Sequence, residues 1–311
     1  MIMKIDTSII KKGTVFENEP MKDHTTMRAG GPARYFVIPG DECELSGLIK
    51  FLNREAVPYY ITGNGSNLLV SDKGYDGVII NIGKNAPGAL SGLSVNEDGD
   101  GSFLITAGAG CLMSAAGNYA CSLSLTGFEP LSGIPGCIGG ACIMNAGAYG
   151  GEIKDVCEQV RAMLPDGEIK IFTNEECDFR YRGSELSDMN AIVLSASFRL
   201  KKGDSEEIKA LMADLSKRRR EKQPLEHPSA GSTFKRPEGY FAGKLIEDAG
   251  LKGMRIGGAA VSEKHAGFVV NDRYGSAQDV YNVIKAVQQA VFLKFSVELC
   301  PEVKLLGDFD E

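Results

Sequence analysis

The chain has 311 residues, of which 43% are hydrophobic and 24% are charged, values that are typical of a globular protein in water. A single core rarely serves a chain of this length, so we expect two or three domains. The formal net charge of −7 argues against a general nucleic-acid binder, which needs a basic face, but it permits a small anionic ligand held by a few local cations.

The N-terminal segment and the cysteines indicate in which cellular compartment the protein is expected. The segment MIMKIDTSII is charged at Lys4 and Asp6 and lacks the apolar core of a signal peptide. No stretch approaches the roughly 20 apolar residues of a membrane span. Eight cysteines without a C-x-x-C pair, and three histidines without metal-ligand spacing, indicate core residues in a reducing compartment. We therefore expect a cytoplasmic protein without disulfides, a metal site or a membrane segment.

The first half opens with a β-α-β pattern. Strands are predicted over Ala33–Pro39 and Tyr59–Thr62, joined by an amphipathic helix over Asp41–Glu55. The second strand ends in a turn of small residues at a sheet edge where α/β proteins commonly bind ligands. Their backbone N–H groups are able to surround a diphosphate, although an ordinary tight turn explains the same residues equally well. The residues of this turn are Gly63, Asn64, Gly65, Ser66 and Asn67.

Further elements follow in chain order. The predicted elements are strands at Leu68–Val70, Gly77–Ile82 and Ser102–Ala107, a helix at Cys111–Ser122, a hairpin of Val156–Leu164 and Glu168–Phe172, a strand at Ala191–Leu200, helices at Asp204–Arg220 and Phe241–Ala249, a strand near Phe268–Asn271, a helix at Ala277–Phe295 and a final strand at Val297–Leu306. The polar helix at Asp204–Arg220 marks the best domain boundary.

The run GIPGCIGGACIMNAGAYGG, from Gly133 to Gly151, is the densest glycine cluster. A backbone with so few side chains is able to approach a phosphate-bearing ligand closely. The run is neither a dinucleotide-binding G-x-G-x-x-G nor a Walker A loop. Two glycine-rich loops in one half of the chain suit a dinucleotide with a long diphosphate.

Four polar sites are candidates for chemistry, each with a plainer explanation. Arg182, after Tyr181, is able to clamp a carboxylate, or is simply solvated. Ser232 is a possible proton donor or a turn serine. Glu302 lies among apolar neighbours, either paired or facing water. Lys222 ends the run KRRREK, whose cations either meet a diphosphate or only favour the helix dipole. The sequence does not show which of Arg218, Arg219 and Arg220 contacts a ligand and which only caps the helix.

Taken together, these segments resemble the UDP-N-acetylenolpyruvoylglucosamine reductases, flavoenzymes of peptidoglycan precursor synthesis. The resemblance rests on ITGNGSNLLVSDKGYDGVIIN, GIPGCIGGACIMNAGAYGGEI, CDFRYRGS, GSTFKRPEGYFAGKLIEDAGLKG and PEVK, in that order. It implies an α+β fold: an FAD-binding region of the vanillyl-alcohol oxidase/p-cresol methylhydroxylase type, followed by a smaller α/β substrate-binding domain. We place the FAD-binding region at 1–203, with subdomains of about 1–83 and 84–203, and the substrate-binding domain at 204–311.

The resemblance also implies roles for individual residues. The catalytic residues would be Arg182, Ser232 as proton donor, and Glu302. The substrate would be met by Tyr181, Lys222 and Arg236. Non-covalent FAD would be held by Gly63, Asn64, Gly65, Ser66, Asn67, Gly136, Gly139, Gly140, Asn145 and Ile192. Too few residues separate Arg182 from Lys222 for the loop by which one subclass covers its substrate with a tyrosine, so the chain resembles the shorter subclass.

The implied activity is NADPH-dependent reduction of UDP-N-acetylglucosamine enolpyruvate to UDP-N-acetylmuramate, by a monomer without nucleic-acid or membrane partners. Two alternatives remain open. A carbohydrate oxidase of the same flavin fold would explain the glycine loops but not Arg182, Ser232 and Glu302 together. A non-catalytic sugar-nucleotide-binding module would have no need of a proton donor.

Overall fold

The computed structural model describes residues 5–99 and 101–310. Its chain divides into two units, and each builds its own hydrophobic core. The first unit comprises Met1–Phe16, Tyr35–Asn64 and Gly77–Lys217, and the second comprises Glu17–Arg34, Gly65–Asp76 and Arg218–Glu311.

The helices, numbered in chain order, are α1 (Glu42–Arg54), α2 (Met113–Ser122), α3 (Glu129–Ser132), α4 (Ile138–Ile143), α5 (Glu185–Asp188), α6 (Ser205–Lys222), α7 (Ala242–Asp248) and α8 (Ala277–Phe295). The strands are β1 (Thr14–Pro20), β2 (Pro32–Ile38), β3 (Tyr59–Thr62), β4 (Leu68–Val70), β5 (Tyr75–Asn81), β6 (Leu93–Glu97), β7 (Ser102–Gly108), β8 (Leu125–Thr126), β9 (Gly147–Ala148), β10 (Gly151–Glu152), β11 (Cys157–Met163), β12 (Ile169–Thr173), β13 (Ile192–Lys202), β14 (Ser229–Ser232), β15 (Arg255–Ile256), β16 (Ala259–Val261), β17 (Phe268–Val270) and β18 (Lys304–Leu306).

A sheet in the order β12-β11-β13-β7-β6, with β8 beside β13, forms the larger part of the first unit. Every pairing in it is antiparallel. The predicted hairpin is confirmed, because β11 pairs with β12 from Gln159 opposite Thr173 to Met163 opposite Ile169. Strand β13 buries Leu194, Ala196, Phe198 and Leu200 at alternate positions in the core of the first unit, and α4 packs against this strand.

The β-α-β pattern at the start of the chain folds with one difference from the prediction. Helix α1 begins at its N-cap Asp41, whose side chain accepts the backbone N–H of Glu44, and it buries Leu45, Leu48, Ile49 and Leu52 as predicted. The sheet order is β1-β2-β5-β3, so β5 lies between the two strands that α1 connects. Strand β3 is parallel to β5, and its carboxyl end leads into the Gly63 turn.

The second unit combines an antiparallel sheet in the order β14-β17-β16-β15 with α7 and α8. Helix α8 covers the residues predicted for it and begins at a capping box formed by Ser276 and Asp279. A separate parallel pair joins β4 to β18.

The predicted final strand at Val297–Leu306 is wrong over most of its length, since only Lys304–Leu306 is a strand. Pro301 has no backbone N–H to donate to a ladder, and it forms only an isolated bridge with Phe234.

The limits of the units differ from the predicted boundary at 203/204. The units divide inside α6, between Lys217 and Arg218, and the second unit also takes in two segments from the first third of the chain. A boundary drawn at one point of the sequence is unable to represent a unit assembled from three segments.

Candidate active site

The turn after β3 packs against the second glycine-rich segment within the first unit. A Cβ on Gly63 would lie 3.2 Å from the Cβ of Cys137. The Gly63 carbonyl accepts a hydrogen bond of 2.7 Å from Asn81 Nδ2. Burial raises the pKa of the Cys137 thiol, and the nearby backbone N–H groups of Asn64 and Lys84 offset part of that rise. Parts of the two glycine loops that the sequence singles out are therefore neighbours.

Two further glycines that sequence reasoning missed allow this contact. A Cβ on Gly83 would lie 2.9 Å from the carbonyl oxygen of Gly63, and a Cβ on Gly110 only 2.3 Å from that of Gly83. Any side chain at Gly110 would push the backbone apart. Both glycines stand outside the dense runs, and their positions shortly after predicted strands are the only signal that the sequence offers.

Gly139 and Gly140, on α4, have different surroundings. Gly139 donates its N–H to the Ala109 carbonyl at 2.8 Å, and a Cβ there would lie 3.0 Å from the Cβ of Ala109. Packing alone therefore explains Gly139. At Gly140 a Cβ would meet no atom within 4 Å, and the residue is exposed. The fold gives no packing reason for glycine at that position.

Asn145 and Ile192 have side chains in the protein interior. Asn145 is fully buried, and its amide makes three hydrogen bonds within the first unit. Ile192 is 3% exposed and pairs with Met163 at the start of β13. These side chains serve the core, so any contact with a cofactor would have to come from their backbone.

Tyr181 and Arg182 sit at the tip of a tight turn in the first unit. Arg180 N–H donates to the Gly183 carbonyl at 2.9 Å and closes the turn. Arg182 has φ +56°, a left-handed conformation that a non-glycine residue adopts at some cost. Its guanidinium carbon lies 5.2 Å from the centre of the Tyr181 ring.

A carboxylate accompanies Arg182. Lys154 lowers the pKa of Glu152 most, the Asn145 amide lowers it further, and the charge of Arg182 adds to the effect, while burial opposes it. Glu152 Oε2 accepts a hydrogen bond of 2.8 Å from Lys154 Nζ. The electrostatic environment of Arg182 thus includes an anion that is already shared with a lysine.

In the second unit the backbone brings the segments of Ser232 and Glu302 together. Glu302 N–H donates to the Thr233 carbonyl at 2.8 Å, and Lys235 N–H donates to the Cys300 carbonyl at 2.9 Å. Ser232 ends β14, opposite Phe268 of β17, and is exposed, whereas Glu302 is half-buried. A serine and a carboxylate 70 positions apart in sequence thus belong to adjacent stretches of backbone.

Asn67 holds the Glu302 segment in place. Its Nδ2 donates to the Glu302 carbonyl at 3.1 Å, and its own carbonyl accepts the Lys304 N–H at 3.0 Å. Gly65 has φ +60°, and a Cβ on it would lie 2.1 Å from the His24 carbonyl oxygen. Ser66 between them is half-buried. These three residues belong to the second unit, whereas Gly63 and Asn64 belong to the first.

The cations predicted to meet substrate lie on two parts of the second unit. Lys222 is exposed at the end of α6, where Arg219 is only 8% exposed. Arg236 lies with its guanidinium carbon 3.9 Å from the centre of the Phe241 ring, and its Nε donates to the Tyr240 carbonyl at 3.4 Å. Arg236 is thereby oriented by its own loop.

Comparison with known proteins identifies the family. A profile of the UDP-N-acetylenolpyruvoylglucosamine reductase C-terminal domain matches residues 223–306, and an FAD binding domain profile matches residues 33–173. The chain is 50% identical over 300 residues to the UDP-N-acetylenolpyruvoylglucosamine reductase of Caldanaerobacter subterraneus subsp. tengcongensis, covering 96% of both proteins. It is 52% identical over 302 residues to that of Agathobacter rectalis, covering 95% of both.

The chain belongs to the UDP-N-acetylenolpyruvoylglucosamine reductase family. A solved member, the reductase from Thermus caldophilus, superimposes with a TM-score of 0.77 at 34% identity, over 95% of this chain and 99% of the other. The expected α+β fold with an FAD-binding region is confirmed.

The two profile matches cover different residues of the candidate site. The FAD-binding match includes the Gly63 turn and Gly136–Gly140 but ends before Arg182. The C-terminal match includes Ser232 and Glu302 but begins one residue after Lys222. The FAD-binding domain makes this reductase a flavoenzyme.

The residues of the first unit fit FAD. Gly140 leaves open space that a side chain would fill, and the contact between Gly63 and Cys137 brings the β3 turn next to the α4 segment. A backbone this free of side chains permits close approach of a diphosphate.

Among residues 5–99 and 101–310, no three His, Cys, Asp or Glu side chains are grouped to hold a metal ion. Within the same residues, no helix is long and apolar enough to cross a membrane.

Proposed function

We propose that this reductase converts UDP-N-acetylglucosamine enolpyruvate to UDP-N-acetylmuramate, with FAD as its cofactor and NADPH as the reductant, in peptidoglycan precursor synthesis. The observation that carries this proposal is the identity of about half of the residues with named reductases over nearly the whole chain. The exposed serine beside the Glu302 segment supports a catalytic protein over a module that only binds.

FAD, when bound, supplies hydride chemistry that no protein side chain provides. We assign Gly63, Asn64, Gly136, Gly139 and Gly140 to its binding in the first unit. Asn67 has a structural role toward Glu302, so a cofactor contact by Asn67 would be an additional role.

Arg182 is assigned to the developing negative charge. When a hydride adds to the terminal carbon of the enolpyruvyl alkene, negative charge spreads over the adjacent carbon and its carboxylate. A guanidinium fixed in advance stabilises that charge without reorganisation. The left-handed backbone of Arg182 is the kind of local strain that tends to occur at functional sites.

Ser232 is assigned to proton delivery. Its hydroxyl donates a proton to the carbon next to the substrate carboxylate, and the alkoxide recovers a proton from solvent. A hydroxyl is a weak acid, but the carbanionic carbon is strongly basic, so transfer requires close geometry more than a low pKa. Glu302 shares this part of the second unit and is expected to be protonated or paired near the substrate.

Lys222, Arg236 and Tyr181 are assigned to binding the substrate. The ring contacts of Arg236 and Tyr181 keep two of these side chains in defined positions. We further expect a cytoplasmic monomer that needs neither nucleic acid nor membrane, an expectation with which eight free cysteines agree.

The test is turnover of purified FAD-loaded protein with NADPH and UDP-N-acetylglucosamine enolpyruvate in D₂O. The product should gain two hydrogens, with one solvent deuterium on the carbon next to the carboxylate. NADPH consumption that makes peroxide and leaves the enolpyruvyl sugar unchanged would instead indicate an oxidase.

A further inference from the structure

Asn145 occupies a central position in the first unit. It follows α4, has no exposed surface, and has φ +43°. Its Oδ1 accepts the Lys154 N–H at 3.0 Å. Its Nδ2 donates to Glu152 Oε2 at 3.0 Å and to the Arg180 carbonyl at 3.2 Å. An amide nitrogen carries two protons, and both are used.

The bond to Arg180 acts on the turn that carries Arg182. Arg180 forms the base of that turn, because its N–H also donates to Gly183. A second tether lies on the other side, where the Ser184 hydroxyl donates to the Ile143 carbonyl at 2.7 Å. Both tethers connect the turn to the end of α4, directly after Gly136–Gly140.

We propose that Asn145 is a positioning residue for Arg182, fixing the Tyr181–Arg182 turn relative to the glycine-rich segment, and this rests on the proposed function. The sequence pointed to Asn145 as an FAD contact, yet neither amide proton remains for a ligand. Since Arg182 adopts a left-handed backbone, the turn depends on neighbouring bonds to hold it.

Asn145 also positions the negatively charged side chain of Glu152 near Arg182. Its Nδ2 keeps Glu152 Oε2 in place, and the same oxygen accepts Lys154 Nζ. Glu152 also accepts the Asp155 N–H, so loss of the Asn145 bond removes one of three contacts that position this anion, whose charge acts on Arg182. Both effects weaken catalysis through Arg182 rather than through the cofactor.

The test uses Asn145→Asp in the full chain loaded with FAD, with Asn174→Asp as the matched control. Asn174 Nδ2 donates to the Lys154 and Cys157 carbonyls at 2.8 and 2.6 Å, so it supports the same region without reaching Arg180. Asn145→Asp should retain FAD and its reduction by NADPH. It should lower kcat for the enolpyruvyl sugar by about 10²-fold, the usual effect of a misplacement near 1 Å. Asn174→Asp should stay within about twofold of the parent protein.

A double-mutant cycle with Arg182→Ala separates positioning from general structural damage. If Asn145 acts through Arg182, Asn145→Asp adds less than about twofold to the loss already caused by Arg182→Ala. A further tenfold loss in that background overturns the inference. Loss of FAD from Asn145→Asp also overturns it, since that result would make Asn145 a cofactor residue.

Asn145→Gly serves if the aspartate variant fails to fold, because glycine accepts the left-handed backbone while deleting the amide. The same cycle then applies to it. Failure of the proposed function looks different: the parent protein would not reduce the enolpyruvyl sugar at all, or Arg182→Ala would retain full activity.

Discussion

Ser232 and Glu302 reach the same part of the second unit because backbone hydrogen bonds join their segments. The Glu302 N–H donates to Thr233, the residue after the serine, and Asn67 holds the Glu302 carbonyl. The backbone that carries both groups is thereby fixed before any substrate arrives. Fixed donors contribute more to catalysis than mobile ones, because they need no reorganisation in the transition state.

Ser232→Ala should separate the two half-reactions. Reduction of FAD by NADPH should proceed at the parent rate, since this step needs no proton from the serine. Transfer to the enolpyruvyl sugar should slow by about 10²–10⁴-fold, as expected when a placed proton donor is removed. Stopped-flow absorbance of the flavin measures both rates, and Ser229→Ala, on the same strand, is the control that should change neither. Normal turnover by Ser232→Ala would show that Ser232 is not the proton donor.

The sequence indicated candidate residues for the chemistry, but it did not indicate their surroundings. Tyr181, Arg182 and Ser232 lie at a turn or a strand end, as short polar motifs often do. Asn145 and Ile192 lie in the interior, which only the tertiary structure reveals, because burial depends on strands and loops distant in sequence. Asn67 has a structural partner 235 positions away, and no local pattern indicates such a bond.

Among the elements, the start of α1 depends on one buried carboxylate. Glu44 is 7% exposed and accepts backbone N–H groups from Lys12 at 2.5 Å, Lys11 at 2.7 Å, Gly40 at 2.8 Å and Gly13 at 3.0 Å. Burial alone would raise the pKa of Glu44, but these four donors hold it below its ordinary value of 4.5. The carboxylate ties the segment before β1 to the helix.

Glu44→Gln should lower the free energy of unfolding by about 1.5–3 kcal/mol at pH 7, the range for hydrogen bonds to a charged group. The folded-state pKa is depressed, so this contribution is full above pH 4.5 and is lost as the pH falls through the lower folded-state value. Urea unfolding at pH 7 and at pH 4 measures it. A difference between variant and parent that grows on acidification would contradict this assignment.

Gly140 on α4 should be required by the cofactor and not by the fold. Gly140→Leu should leave the melting temperature of the FAD-free protein unchanged or raised, because the site has open space and leucine favours a helix. Its FAD affinity should fall by about 5- to 150-fold, since overpacking a ligand costs about 1–3 kcal/mol. Isothermal titration with FAD measures this, and Gly99→Leu, where a Cβ also meets no atom within 4 Å, should bind FAD as the parent does. Equal affinities for both variants would place FAD away from α4.

Elements with a clear apolar pattern were predictable even when short, whereas those inside the glycine-rich run were not. Helix α8 and strand β3 match their predicted limits, because apolar spacing and clear caps define them. The final strand failed at Pro301, and the two-residue strands β9 and β10 inside the glycine run carry no periodic signal. The contact between Gly63 and Cys137 joins residues far apart in the sequence, and spacing along the chain does not predict it.

For the whole molecule, the reactivity of the eight cysteine thiols reports whether the hydrophobic cores are closed. All are free; Cys43 and Cys300 are exposed, Cys121 is half-buried, and the remaining five are buried. Burial raises the pKa of Cys111 to about 11 and that of Cys177 to about 12. At pH 8 such thiols are almost entirely protonated and therefore unreactive.

Ellman's reagent at pH 8 should titrate Cys43 and Cys300 quickly, Cys121 more slowly, and all eight thiols only after unfolding in guanidinium chloride. Replacing Cys43 and Cys300 by serine should remove the fast phase and leave the slow ones. Rapid reaction of all eight thiols in native protein would show that the cores open far more readily than the packing indicates.

An anaerobic titration that follows the visible absorption of bound flavin tests the assigned reaction most directly. NADPH is added first and UDP-N-acetylglucosamine enolpyruvate second. We expect NADPH to bleach the yellow band and one equivalent of the enolpyruvyl sugar to restore it. Bleaching without recovery would contradict the assigned substrate, and a protein that takes up no FAD would contradict the assignment as a flavin-dependent reductase.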